Sequence, residues 1–314
     1  MKPPMRHSFT TMGTVATLIA PHNTGQRAFR NAAAKVERVF RREDRRFSRF
    51  RPDSELSRVN AATGRWIEVS RPFAVVTERS LRAAAETDGL FDPTVLPALA
   101  AAGYDRDWAD VEARGDEEDE ELATIRREFA ALMIKHSTVC GAWREIELDG
   151  TNLRIPEGAS LDFGGIAKGW TVDRAASKLP DLRWAIVNAG GDLRMVGTPP
   201  RAGLEVGIED PHDARAEALR IGLSAGALAT TSVTVRAWGE GNHHVIDPRT
   251  SLPAMTEVVQ ATVWGETCAD AEVWSKAALL RGPAILERVS ASLILASGEV
   301  VTNLPVADDE QVPA

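Results

Sequence analysis

The order in which two hydrophobic periodicities follow one another along this chain excludes most of the ways it could fold. Residues 9–20 are rich in β-branched side chains and read as one opening strand, closed by Pro21, His22 and Asn23. Two helical patterns follow. Phe29, Ala33, Val36, Val39 and Phe40 recur at three- and four-residue spacings within 26–46, and a second helix begins near Pro72, runs through Phe73, Val76, Leu81 and Ala84, and stops at Gly89. Short strands are then expected at 131–135, 145–149, 152–155, 184–188, 192–196 and 258–264, with turns at Asp149-Gly150 and Gly190-Gly191 and helices at 167–179 and 269–281. That order does not alternate regularly enough for a parallel sheet of repeated βαβ units. It predicts an α+β fold, largely antiparallel sheets with packed helices.

Residues 1–314 read as a single domain, since a chain of this length buries most of its apolar surface without staples. An acidic run from Asp116 to Glu121 makes 105–121 a solvated loop and the candidate subdomain boundary, and the tail at 307–314 is expected to fray. A formal charge of -8 repels a polyphosphate backbone, and the basic stretch from Arg38 to Arg51 is interleaved with Glu43 and Asp44, so nucleic acid is excluded as a partner. Cys140 and Cys268 stand far apart, which fits a reducing compartment. Met1 to Pro21 lack a continuous apolar core, and no run approaches the ~18 apolar residues that span a bilayer. The expectation is a cytoplasmic protein without membrane insertion.

Two runs carry chemistry. Leu161-Asp162-Phe163-Gly164-Gly165-Ile166-Ala167-Lys168-Gly169-Trp170 precedes a helical pattern. Its glycines let backbone N–H groups approach an anion, a helix N-terminus adds partial positive charge and Lys168 adds a full one. An ordinary glycine turn before a surface helix fits the same spacing equally well. The run is neither a Walker A loop nor GxGxxG. In the second, Gly241 to Pro253, His243 and His244 point to opposite faces of a strand, so one at most faces a given site, with Asp247 as an orienting carboxylate. A strand end closed by the Asp247-Pro248 turn is the plain alternative. Phe91-Asp92-Pro93-Thr94 can be an N-cap with Pro at N1, and Ser54 can cap a short helix within the polar stretch from Phe50 to Asn60.

Taken in order, these stretches resemble the ApbE-type FAD:protein FMN transferases from about Phe9 to about Leu295. The resemblance also uses Met12-Gly13-Thr14, Val187-Asn188-Ala189-Gly190-Gly191-Asp192, Ala229-Thr230-Thr231-Ser232 and Cys268 with Ala271-Glu272. It implies an ApbE-like flavin transferase fold and an FAD site contacted by Met12, Phe50, Leu90, Phe91, Asp92, Asp162 and Lys168, with His244 and Asp247 catalytic. It further implies a phosphoester link between FMN and a threonine or serine of an acceptor protein with an FMN-binding domain, and release of AMP.

The sequence departs from that pattern in three places. Phe50 stands where the family often has tyrosine, which keeps stacking but loses a hydroxyl. The family binds Mg2+ through a backbone carbonyl matched by Gly165, plus an aspartate and a threonine four residues apart. Those positions hold Glu272 and Lys276 here, Asp270 being the alternative ligand if the helix is shifted by two residues. A lysine ammonium cannot ligate a metal, although it can place a positive charge there; Glu272 and Lys276 equally read as an ordinary i, i+4 ion pair. Ser251 follows Thr250 where the family usually has glycine, and a positive φ there would strain a serine. Transfer to a protein hydroxyl is the leading expectation. FAD hydrolysis to FMN and AMP, and a catalytically silent FAD-binding protein, are its rivals.

Overall fold

The computed structural model describes residues 2–114, 140–179, 182–200, 203–213, 215–238 and 241–306. The expected strand at 131–135, the acidic residues 116–121 and the tail at 307–314 lie outside the described residues. Eight strands form one sheet: Met5–Thr11, Thr14–Ala20, Trp184–Ala189, Asp192–Gly197, Ala227–Ser232, Val258–Gly265, Ala291–Leu295 and Val300–Thr302. Their order across the sheet follows their order in the chain, and every neighbouring pair is antiparallel. The sheet is a meander, and helices enter it as excursions between strands. This is why strand and helix patterns do not alternate along the sequence.

Alternation along the strands divides the core. Ala185, Val187 and Ala189 face Phe29, Val36 and Phe40 of the Gln26–Phe47 helix and Val172 and Ala176 of the Ala167–Ala176 helix. Ile186, one residue out of phase, packs on the other side with Ile208, Ile221 and Leu223 from the hairpin of Leu204–Glu209 and Glu217–Leu223. The Cys268–Arg281 helix covers the far half of the sheet, setting Ala277, Ala278 and Leu279 against Val258, Ala261, Val263 and Leu293.

Two sequence expectations need correction. Residues 9–20 are not one strand: Met12 and Gly13 take φ of 49° and 66° and turn the chain into a two-residue hairpin in which Thr11 pairs with Thr14. β-Branched content runs through both strands, so the turn is hidden behind a methionine that does not announce a left-handed conformation. The second concerns 105–121, where Trp108–Arg114 is a helix rather than loop. Val111 is buried with Tyr104 and Leu99, and that apolar contact outweighs the polar character of the segment. The second helix spans Arg71–Glu86, begins at Ser70, whose hydroxyl accepts from the Phe73 N–H, and ends before Gly89 at φ 81°.

The last two helices are fastened end to side. Asp173 accepts the Cys268 and Ala269 N–H groups at 2.9 and 3.0 Å, capping the Cys268–Arg281 helix from a neighbouring helix, while Thr267 caps it locally. A Cβ on Gly169 would meet the Cys268 carbonyl oxygen at 2.5 Å, so glycine is required for this approach.

Candidate active site

An open cavity of about 360 Å3 lies where the Met12-Gly13 turn, the 89–95 loop, the glycine run, the His244 strand end and the Cys268–Arg281 helix converge. Met12, Phe50, Leu90, Phe91, Asp92, Asp162, Gly165, Lys168, His244 and Lys276 all line it. The two chemistry-bearing runs therefore share one cavity. Its size lies within the range of small-molecule sites, ~300 to 1,000 Å3.

The floor is braced by side chains that answer local backbone groups. Asp162 Oδ1 accepts the Gly164 N–H at 2.6 Å, its Oδ2 pairs with Arg49 Nε at 3.1 Å, and its own N–H donates to the Pro93 carbonyl at 2.8 Å. Asp92 accepts from the Thr94 N–H at 2.7 Å and from the Gly141 N–H at 2.5 Å, but the helix that follows is Leu96–Ala101, so Asp92 ties two loops rather than capping a helix. Asn60 clamps Leu161 on both sides, donating to its carbonyl and accepting its N–H. Ser54 caps Glu55–Asn60 as its spacing suggests.

On the glycine side, the anion-binding reading is modified. The Gly164 N–H is taken by Asp162, and the Gly169 N–H donates to Glu272 Oε2 at 2.8 Å. What the run presents to the cavity is the Lys168 ammonium, which pairs with Asp192 and stands 3.7 Å from Glu272 Oε1. Lys276 Nζ lies 3.7 Å from the same oxygen. Burial pushes both ammoniums below the ordinary lysine value, and Glu272 opposes the shift. A Cβ on Gly165 would sit 3.0 Å from Lys276 Cε, so Gly165, Glu272 and Lys276 do meet.

These residues do not fit a magnesium ion. Glu272, 1% exposed, already answers a backbone N–H and two ammoniums, and Lys276 has no lone pair to give. Asp270 bonds with Thr267 at the helix start. Among the described residues no three His, Cys, Asp or Glu side chains gather where they could hold a metal.

His243 and His244 divide between two environments, although the strand Asn242–His243 ends before His244 rather than carrying both. His243 is buried with Nε2 against the Ala254 carbonyl at 2.9 Å, while His244 lines the cavity and its Nδ1 has no hydrogen-bond partner among the described residues. Burial pushes His244 well below the usual imidazole range, helped by Arg236, Lys276 and His243, so the ring is neutral at pH 7. Asp247 does not orient it. Its carboxylate is held by Arg249 at 2.7 to 3.1 Å and does not line the cavity; burial raises the group, and the Arg249 bonds outweigh that and leave it below the carboxylate range. The Pro248 turn aims Asp247 at Arg249, two residues on. Its carbonyl accepts from Thr250 and Ser251, and Ser251 takes φ 58°, the strained geometry anticipated for that position.

Several lining residues escape sequence reasoning. Arg49 lies 4.4 Å from the ring centroids of both Phe50 and Tyr104, forming a wall with Trp108. Arg236 donates to the Gly13 carbonyl at 3.0 Å and the Tyr104 hydroxyl at 3.2 Å. Tyr104 and Trp108 stand close in the sequence, but Trp238 joins them only in the fold, so no local signal marks this wall.

The sequence pattern of the ApbE family matches residues 12–294. The chain is 28% identical over 302 residues to a protein of Rhodobacter capsulatus named FAD:protein FMN transferase, covering 93% of this chain and 54% of that protein. It is 30% identical over 278 residues to one of the same name from Vibrio cholerae serotype O1, covering 83% and 77%. The chain thus spans about half the length of the first relative and three quarters of the second. In structure it resembles the ApbE protein of Thermotoga maritima, with a TM-score of 0.80, 23% identity and 95% and 96% of the two chains covered. It also resembles the flavin transferase ApbE of Vibrio cholerae, with a TM-score of 0.73, 26% identity and 96% and 98% covered. A meander sheet, a cavity built by the two diagnostic runs, and a match that spans both halves lead to one assignment: the chain belongs to the ApbE family.

Proposed function

We propose that this chain is an FAD:protein FMN transferase that takes FAD into the cavity and passes its FMN half to a threonine or serine hydroxyl of an acceptor protein with an FMN-binding domain. The observation that carries the proposal is the meeting of Gly165, Lys168 and His244, from distant parts of the chain, on one cavity. Met12, Leu90, Phe91 and the Phe50 wall supply apolar surface for a flavin, with Asp92 and Asp162 holding the loops that shape it. The lysines face the position of the diphosphate.

In the transfer step the hydroxyl oxygen bonds to the FMN-side phosphorus. The bond from that phosphorus to the bridging oxygen breaks, and its electron pair leaves with AMP. His244, neutral at pH 7, takes the hydroxyl proton, while Lys168 and Lys276 stabilise charge that builds on the phosphoryl oxygens. Asp247 has no direct part in the step: its carboxylate is held by Arg249, and its carbonyl holds the turn that follows Ile246–Asp247. The cavity supports a reaction of this class because phosphoryl transfer asks chiefly for placement and charge neutralisation.

Magnesium belongs to the family's expected chemistry, but Glu272 and Lys276 do not fit it, and the step above needs only this chain's own residues. Cys140 and Cys268 are free thiols. Among the described residues no helix is long and apolar enough to cross a membrane.

Incubation with FAD and a purified FMN-binding-domain protein, read by intact mass, tests the proposal. An FMN mass on the acceptor with one AMP released per transfer is expected. Rapid AMP release with no acceptor would replace transfer by hydrolysis, and bound FAD with no AMP under any condition would leave a binding protein.

A further inference from the structure

We infer that this chain handles the diphosphate of FAD without a divalent metal ion, the Lys276 ammonium, together with Lys168, supplying the positive charge there. The inference rests on the transferase reading above and concerns the same cavity.

Glu272 is the only carboxylate at the family's two helix positions, and its side chain is 2% exposed. Its Oε2 receives the Gly169 N–H at 2.8 Å. Its Oε1 is buried with no hydrogen-bond partner among the described residues, yet Lys168 Nζ and Lys276 Nζ both stand 3.7 Å from it. A cation seated on that oxygen would enter between two ammoniums. On the glycine side the Lys276 stem lies against Gly165, where a Cβ would stand 3.0 Å from Cε, so the lysine occupies the helix position that faces this glycine.

The charges balance without an added ion. Lys168 pairs with Asp192 and Glu272, Lys276 pairs with Glu272, and Asp192 is 1% exposed. The resting wall therefore carries two ammoniums against two carboxylates. These are not surface pairs: the lysine side chains are 20% and 21% exposed, and both residues line the cavity. Arg236 lines the same cavity and gives its guanidinium hydrogen bonds to two neutral acceptors, Gly13 O and Tyr104 Oη. Among the described residues it makes no ion pair, so its charge is available to an anionic ligand. An incoming diphosphate meets fixed cations, whose field needs no reorganisation when charge moves to the leaving phosphate.

The test uses the whole chain and reads FAD affinity by flavin fluorescence, with excess chelator or with millimolar magnesium, beside Mn2+ as a spin probe. Equal affinity in the two buffers is expected, with the Mn2+ signal staying that of Mn2+ in a protein-free FAD solution. Lys276→Met should weaken FAD by on the order of tenfold or more in both buffers, the loss of one charge-assisted contact, whereas Lys276→Arg should retain affinity. Affinity that magnesium raises tenfold or more, Mn2+ immobilised by the protein–FAD complex, or Lys276→Met binding as tightly as wild type in chelator would each overturn the inference. The chelator and Mn2+ arms need no variant, so a poorly folded Lys276→Met leaves the question decidable. Failure to bind FAD in either buffer removes the transferase reading and this inference together, while magnesium-dependent binding removes the inference alone.

Discussion

Lys168 and Lys276 share one oxygen: each ammonium lies 3.7 Å from Glu272 Oε1, although the two lysines stand on different helices. Their separation is set by how closely those helices pack. Gly169 permits the contact, Asp173 caps one helix from the other, and the Gly169 N–H to Glu272 bond crosses the interface. The electrostatics of the cavity are thus a consequence of helix packing.

Gly169→Ala tests that dependence. The new Cβ would have to clear the Cys268 carbonyl, from which it would stand only 2.5 Å, so the helices must separate and both lysines move. A stability loss of about 1–3 kcal/mol is expected from overpacking, read as a lower urea midpoint, together with weaker FAD binding. Wild-type stability and affinity in this variant would show that the helix contact does not set the site.

Glu272→Gln removes the charge that both ammoniums face while nearly keeping the shape. Two buried like charges are then left without their common partner, and a loss on the order of 3 kcal/mol is expected in denaturant unfolding. Because the missing carboxylate also opposed the lowered lysine values, both lysines should titrate at still lower pH. Chemical-shift titration of the lysine ε-methylene groups would detect this; unchanged lysine titration would contradict the arrangement.

The proposed roles also fix a pH profile. His244 must be neutral to act as a base, and burial with its cationic neighbours holds it well below 6.5, so activity should fall only as pH drops well beneath that value. Lys168 and Lys276 must be charged, and their lowered values bring the alkaline loss of activity to a pH below 10.5. For stability the sign follows from proton uptake: unfolded His244 binds a proton below 6.5 while the folded ring resists it, so stability decreases as pH falls from 6.5 toward the folded value. His244→Gln should flatten that slope and lower transfer by ~100-fold or more, the residual activity losing its acid limb. An acid limb unchanged in residual activity would remove His244 from the role of base.

Much of this arrangement is legible in the sequence where a short-range signal exists. The Gln26–Phe47 stripe, the Gly89 stop and the strands around Gly190-Gly191 follow from spacing and turn chemistry. What stays hidden depends on partners far away in the chain. Nothing near Asp173 says that it caps a helix starting at Cys268; Asp247 is a different case, because the arginine that claims its carboxylate stands only two residues on. Arg236 and the Arg49–Tyr104 contact carry no local motif at all. The Met12-Gly13 hairpin is missed for a different reason, since a left-handed methionine is maintained by the flanking strand pairing and by its place on the cavity wall.

Ser251 offers a test in which fold and function separate. At φ 58° a residue with a Cβ costs ~1–2 kcal/mol relative to its usual conformations, while glycine there recovers that strain and returns ~0.5–1 kcal/mol as chain entropy lost on folding. The two backbone bonds from Thr250 and Ser251 to the Asp247 carbonyl, at 3.1 and 2.8 Å, do not involve the side chain and persist. One weak contact is forfeited: the Ser251 hydroxyl opposes the burial that pushes the Cys140 thiol up to about 11. Ser251→Gly should therefore stabilise the chain by a net ~0.5–1 kcal/mol, a rise of ~1–4 °C in Tm. FMN transfer should be unaltered, because Ser251 does not line the cavity. A lower Tm would mean that the serine hydroxyl holds the turn more firmly than its backbone strain loosens it. Altered transfer at unchanged Tm would instead tie the turn after Asp247 to the placement of His244.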